Sequence, residues 1–319
     1  MVPGSWLRWG LAPSWRPGER EYREQQSLPA DMICRAHYRC RRDWRGPRRQ
    51  QPSSSSAFKV ALVSTMCDNA SSLDSFICYY LELGFATLLL YVDDPKDEAV
   101  AVASRYPAGR VQVRTHDESL REEWRQLPSW QRLRLYAETE VQARQQLNAE
   151  HAMDRALGLG MHFLLHVDSD ELLHLPSAAM GDGGRALQEH AALLERRGAL
   201  QFTYRNLEAV PEREACDDPF RAVTLFKQHP SELHEREGKP AVREALEHWC
   251  RAEGGGGKLF RFYSNGKSIV RVDPRVSAVA SVHEWSLPKG MAERGYTNNG
   301  TPRDYIPRTV NSASSHLQL

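Results

Sequence analysis

Short apolar runs alternate with stretches of helical period through the middle of this chain. The first run, Phe58 to Met66, reads as a buried strand. Leu73, Phe76, Ile77, Tyr80 and Leu81 then recur on one face of a helix that stops at Gly84, and Ser71 with Asp74 predicts its capping box. A second strand spans Ala86 to Val92 and ends in Asp93-Asp94-Pro95. A helix from Lys96 to Arg105 and a third strand from Arg110 to Arg114 follow. Strand and helix taking turns in this way predict a parallel α/β sheet.

The pattern from Ser129 to Leu159 contains no proline. Its broad apolar side (Leu133, Tyr136, Ala137, Val141, Leu147, Ala152, Leu159) predicts one long helix. That helix leads into Phe163 to Val167, a buried strand that breaks off into Asp168-Ser169-Asp170-Glu171. The single residue between Asp168 and Asp170 points both carboxylates to one side as the strand ends. Such a pair is costly unless a cation or hydrogen-bond donors lie between them, and a divalent ion with oxygen ligands is the economical solution. In open α/β sheets ligands bind beyond the carboxyl ends of strands, where Asp93-Asp94 also falls, so the two acidic ends are expected to share a crevice.

Further on, a helix is expected near Ala186 to Arg197 and a strand from Leu200 to Tyr204, closed by Asn206 to Pro211. The four glycines Gly254 to Gly257 read as a hinge or lid. Lys258 to Tyr263 and Lys267 to Val272 read as strands joined by the Asn265-Gly266 turn, and Val276 to Val282 as a last short strand.

Composition narrows the class. The 319 residues allow one large or two modest domains. The balanced net charge of +1 gives no basic field for nucleic acid. Six irregularly spaced cysteines make no disulfide framework, and Cys34 and Cys40 around His37 read as ordinary thiols. No stretch is apolar enough for a transmembrane helix, and no secretory signal is seen. Residues 1–57, rich in Arg, Pro, Trp and Ser, are expected to be a disordered leader, and 291–319 a polar tail. The ordered domain is expected over 58–290. The first turn, Ser64 to Asn69, contains no glycine, which removes the dinucleotide fingerprint and the P-loop.

Val60 to Val63, Asp74 to Gly84, Tyr91 to Pro95 and the block Leu164 to Leu173 together resemble the glycosyltransferase family 2-like group that includes family 92. The later Asn265 to Ser268, Arg271 and His283 are similar to the closing block of that group, so the resemblance covers about residues 58–285. It implies a GT-A-type, Rossmann-like mixed sheet in a single domain. It also implies Mn²⁺- or Mg²⁺-dependent transfer of a sugar, with inversion, from a UDP- or GDP-sugar to a glycan, protein or lipid acceptor. In eukaryotes most such enzymes work in the Golgi behind a membrane anchor; the compartment of this chain is left open. Phe76 to Leu81 departs from the group by lacking its Glu and Trp.

On this reading Asp168, Asp170 and His283 are the metal ligands, with Asp168 also reaching the ribose or a metal-bound water. Asp93 contacts the donor's base or ribose, and Lys267 neutralises diphosphate. Glu208 and Asp218 are the candidates for the base that deprotonates the acceptor, with Asp217 behind them. Each residue also has a plainer reading. Asp168 and Asp170 can close a solvated turn, Asp93 and Asp94 suit turn chemistry, and Lys267 can be a hairpin charge. Glu171 can support the site or sit at a helix start, and His166 can simply pack. Arg144 and Asn148 share a helix face that can equally be solvated. Two other activities fit the same fold: a metal-dependent nucleotidyltransferase, and a catalytically inactive homologue that only binds.

Overall fold

In the computed structural model, the structure describes residues 33–35, 58–67, 69–175, 183–210, 218–227, 229, 244, 247, 260, 265–276, 278–279, 281–287 and 308–311. The strands are β1 (Ile33–Arg35), β2 (Val60–Met66), β3 (Thr87–Val92), β4 (Val111–Thr115), β5 (Phe163–His166), β6 (Glu171–His174), β7 (Gln201–Val210), β8 (Leu225–Lys227), β9 (Lys267–Arg271), β10 (Ala278–Val279), β11 (Trp285–Ser286) and β12 (Arg308–Asn311). The helices are α1 (Ala70–Glu82), α2 (Glu98–Ala103), α3 (Glu118–Trp124), α4 (Trp130–Leu133), α5 (Val141–Gly158), α6 (Gly183–Arg196) and α7 (Pro219–Ala222).

The main sheet runs β1-β8-β7-β9-β5-β2-β3-β4. Strands β5, β2, β3 and β4 are mutually parallel, and β9 runs antiparallel between β5 and β7. This is an α/β fold with a Rossmann-like mixed sheet, as expected for a GT-A domain. β12 pairs with β6 and β7, and β1 with β8; both added strands lie outside residues 58–290.

Helices cover both faces, which is why the central strands read as unbroken apolar runs. Val60, Leu62, Phe163 and Leu165 pack under α1, α2 and α6, whereas Ala61, Val63, Leu89 and Leu164 pack under α3 and α5. Along α1 the rings of Phe76, Tyr80 and Phe85 meet edge to face. Such pairs add about 0.5–1.5 kcal/mol each beyond buried area. Gly84 ends α1 at φ 101, as expected of a left-handed stop.

Four local expectations are corrected. The capping box does not form: α1 starts one residue after Asn69, which makes no side-chain cap, and Asp74 instead accepts from the Tyr106 hydroxyl at 2.7 Å. The long helix is two helices, α4 and α5. The backbone amide of Ser129 donates to Glu150 Oε2 at 3.1 Å, folding α4 back onto the middle of α5. In one straight helix those residues would stand about 31 Å apart. The block after Asp170 is strand β6, which removes the alternative of a helix start at Glu171. β7 continues through Asn206 and Glu208 to Val210, because these polar residues are buried instead of ending the strand. Gly254 to Gly257 and most of Lys258 to Tyr263 lie outside the described residues.

His190 on α6 is buried against β7, with Nε2 2.9 Å from the Tyr204 hydroxyl. Burial pushes its imidazole down to about 4. The unfolded chain takes up this proton first, near pH 6.5. The stabilisation is therefore complete above that pH and is lost as pH falls toward 4, by about 3 kcal/mol in all. His190→Gln should flatten this part of the pH dependence of urea unfolding. An unchanged slope would show that the imidazole does not stay neutral in the fold.

Candidate active site

Strand order reverses between β5 and β2, since β3 and β4 lie on the far side of β2. Open α/β sheets bind ligands beyond the carboxyl ends of their strands at such a reversal. Thr65, Asp93 and Asp168 stand at those ends, and the first half of α5 lies over them. Arg144 Nη2 donates to Asp93 Oδ2 at 2.7 Å, Gln145 Nε2 to Asp168 Oδ1 at 2.8 Å, and Asn148 Nδ2 to Thr65 Oγ1 at 2.9 Å. Arg144 and Asn148 thus use their shared face on the protein interior.

Beside Asp168 lies Lys267, whose side chain is 0% exposed. Its Nζ donates to Asp168 Oδ2 at 2.7 Å and to the Val282 carbonyl at 3.3 Å, and stands 3.7 Å from Glu171 Oε2. Antiparallel pairing of β9 with β5 and β7 delivers it there. Glu171, 1% exposed, accepts from the Asp168 amide at 2.9 Å through Oε2. The Tyr80 hydroxyl fixes the start of β6, donating to the Glu171 carbonyl at 3.0 Å and accepting from the Leu173 amide at 3.1 Å.

The electrostatics follow from burial around one cation. Burial raises the Asp168 carboxyl, but the Lys267 ammonium outweighs it and holds Asp168 below the ordinary range. At Glu171 burial dominates, and its carboxyl lies well above the ordinary range despite Lys267. Burial, then Lys267, pushes His166 down to about 3, so it stays neutral; its Nε2 is buried without a hydrogen-bond partner.

His283 precedes β11. Its Nδ1 lies 2.9 Å from the Gly266 carbonyl, and its own carbonyl accepts from Ser268 Oγ at 2.7 Å. A carbonyl can only accept, so Nδ1 carries the proton and Nε2 the lone pair, the form in which imidazole ligates a metal. Burial and Lys267 lower its pKa and favour that neutral form. Asp170 is half-buried on the turn after β5. Among the described residues no three His, Cys, Asp or Glu side chains converge on one point.

The other candidates lie elsewhere. Glu208 on β7 is buried and pairs with Lys227 Nζ at 2.8 Å. Asp218 caps α7 by accepting from the Phe220 amide at 3.1 Å, pairs with Arg221 at 2.9 Å, and accepts from Ser75. Asp94 makes a turn, accepting from the Lys96 amide at 2.8 Å. Asp217 lies outside the described residues. Sequence reasoning missed Gln145 and Thr65; the available signal was a polar cluster on the half of α5 nearest the strand ends.

No family model matches the chain. It is similar to a glycosyltransferase-like protein of Arabidopsis thaliana, At2g41451, 26% identical over 222 residues that make up 66% of this chain and 45% of the relative. A second Arabidopsis thaliana protein, the glycosyltransferase-like At3g57200, is 28% identical over 147 residues, 46% of this chain and 26% of the relative. The chain spans less than half the length of these curated relatives. Among the described residues no helix is long and apolar enough to cross a membrane.

Proposed function

We propose that this chain is a metal-dependent glycosyltransferase that moves a sugar from a UDP- or GDP-sugar to an acceptor hydroxyl with inversion. The observation that carries the reading is the pair of carboxylates at the strand-order reversal, Asp93 and Asp168, each held by a side chain of α5. Asp93 holds the nucleoside end of the donor. Asp170 and His283 Nε2 would hold Mn²⁺ or Mg²⁺, which supplies neutralising charge for the departing diphosphate. Lys267, walled in by Asp168 and Glu171, serves the diphosphate end by fixing the Asp168 carboxylate.

In the reaction the acceptor oxygen bonds to the anomeric carbon and the bond from that carbon to the diphosphate oxygen breaks. The electron pair leaves with the nucleoside diphosphate, and the acceptor's proton passes to a carboxylate base. Glu208 is the candidate we assign to this role. It lies four residues along β7 from Tyr204, the partner of Lys267, and pairs with Lys227 at 2.8 Å. Asp218 is tied to the α7 cap, to Arg221 and to Ser75.

The test combines a thermal-shift screen of nucleotide-sugars, with and without Mn²⁺, with turnover of Asp170→Asn. A Mn²⁺-dependent shift by UDP- or GDP-sugars, and a loss of at least about a hundredfold in turnover with folding intact, are expected. Unchanged turnover in Asp170→Asn would sink the metal role. Binding without turnover across donors and acceptors would favour a binding homologue.

A further inference from the structure

α5 changes character along its length. Its second half meets the sheet through Ala149, Ala152, Met153 and Ala156, all buried, which lets the helix approach β2 closely. Its first half instead places Arg144, Gln145 and Asn148 over three different strand ends. Ala143 and Leu147 still pack against the sheet in this half, so the polar trio is added to the packing and does not replace it. Arg144 is further tied down, with Nη1 donating to the Ala137 carbonyl at 3.2 Å. It and Asp93 are nearly withdrawn from water, their side chains 14% and 11% exposed.

Hydrogen-bonding capacity is left over here. Arg144 Nε and Asn148 Oδ1, a donor and an acceptor one helical turn apart, are buried with no partner, as is Ser64 Oγ on the same strand as Thr65. Leaving such groups unmet costs about 1–3 kcal/mol each, so native folds do so sparingly and for a reason. Asn148 is 2% exposed, so these atoms belong to a built wall and not to a solvated face.

We infer that the turn Arg144 to Asn148 of α5 is a positioning element with two separable halves: Arg144 and Asn148 set the nucleoside subsite through Asp93 and Thr65, and Gln145 sets the diphosphate subsite through Asp168. This rests on the donor reading above. The Arg144 guanidinium aims the Asp93 carboxylate at the ribose or base. Gln145, holding Asp168 Oδ1 opposite Lys267, keeps that carboxylate turned toward the diphosphate. One helix turn thereby serves both ends of one donor through independent contacts.

The separation can be measured by calorimetry with four probes: UDP, GDP, the matching free nucleoside, and pyrophosphate with Mn²⁺. Arg144→Met should weaken the nucleoside and its diphosphate by the same factor, about ten- to a hundredfold, and leave pyrophosphate binding as in the wild type. Gln145→Leu should weaken pyrophosphate and the nucleoside diphosphate and spare the nucleoside. In turnover, Arg144→Met should raise the donor KM more than it lowers kcat. Arg144→Lys, which keeps the charge without the fork, should recover part of the loss. General loosening of the fold would weaken every probe in both variants; that result, or normal binding in both, overturns the inference. If the wild type binds neither UDP nor GDP, the donor reading itself fails, and the inference goes with it.

Discussion

Lys267→Met is expected to cost about 3–5 kcal/mol of folding stability, measured as a fall in urea midpoint at constant slope. Methionine fills much of the lysine volume, so the loss reports charge and not a cavity. The ammonium is fully enclosed and 2.7 Å from Asp168, with Glu171 at 3.7 Å, so the variant strands two carboxyl groups around an uncharged side chain. The sign of the pH dependence follows. Without the cation both carboxyls rise above their unfolded values, so the folded variant binds protons more readily than the unfolded chain. The variant should therefore be least handicapped at low pH and lose ground to the wild type as pH rises past the ordinary carboxylate range. Adding Glu171→Gln to Lys267→Met removes one stranded acid and should return part of the loss, a coupling a double-mutant cycle reads directly. A loss below about 1 kcal/mol, or no coupling, would mean that Lys267 does not organise this cluster.

Lys267 also shows what could be read from the sequence and what could not. The central strands were legible because covering a parallel sheet on both faces forces continuous apolar runs, and Gly84 was legible because a helix needs a left-handed stop. The acidic end of β5 was legible because unpaired carboxylates after a buried strand demand a counter-charge. The nature of that counter-charge was not. Lys267 looks like a hairpin lysine until β9 is seen between β5 and β7, a pairing between residues about a hundred positions apart in the chain. Glu171 read equally as site support or as a charge at a helix start; buried as the first residue of a strand, it is held by the Asp168 amide and Lys267. The break between α4 and α5 escaped for the same kind of reason. The fold-back is tied by the bond from the Ser129 amide to Glu150, and apolar spacing carries no trace of it. Arg144 and Asn148 were seen to share a face, but which way that face points depends on where Asp93 and Thr65 end up. Local rules recovered elements, then, and failed wherever a charged side chain draws its stability from a distant strand.

Gly266→Ala should be at least as damaging, about 3 kcal/mol or more, or should prevent folding altogether. The usual reason for glycine, a left-handed backbone, does not apply, since Gly266 is not among the positive-φ glycines Gly84, Gly160 and Gly198. The constraint is proximity. A Cβ at Gly266 would fall inside the carbonyl oxygen of Tyr204 and close to the Arg205 Cα at 3.3 Å, both backbone atoms of β7 that no rotamer change can move. Relief requires β9 to part from β7 at its first residue, and that residue is Lys267. The same displacement carries away the Gly266 carbonyl that fixes the His283 tautomer at 2.9 Å. One added methyl group should therefore damage stability, the Lys267 cluster and the imidazole's orientation together. Gly109→Ala is the matched control: nothing lies within 4 Å of its Cβ position, so its effect should stay within about 0.5 kcal/mol. If Gly266→Ala unfolds at the same urea concentration as Gly109→Ala, β9 does not approach β7 this closely, and Lys267 reaches Asp168 by another route.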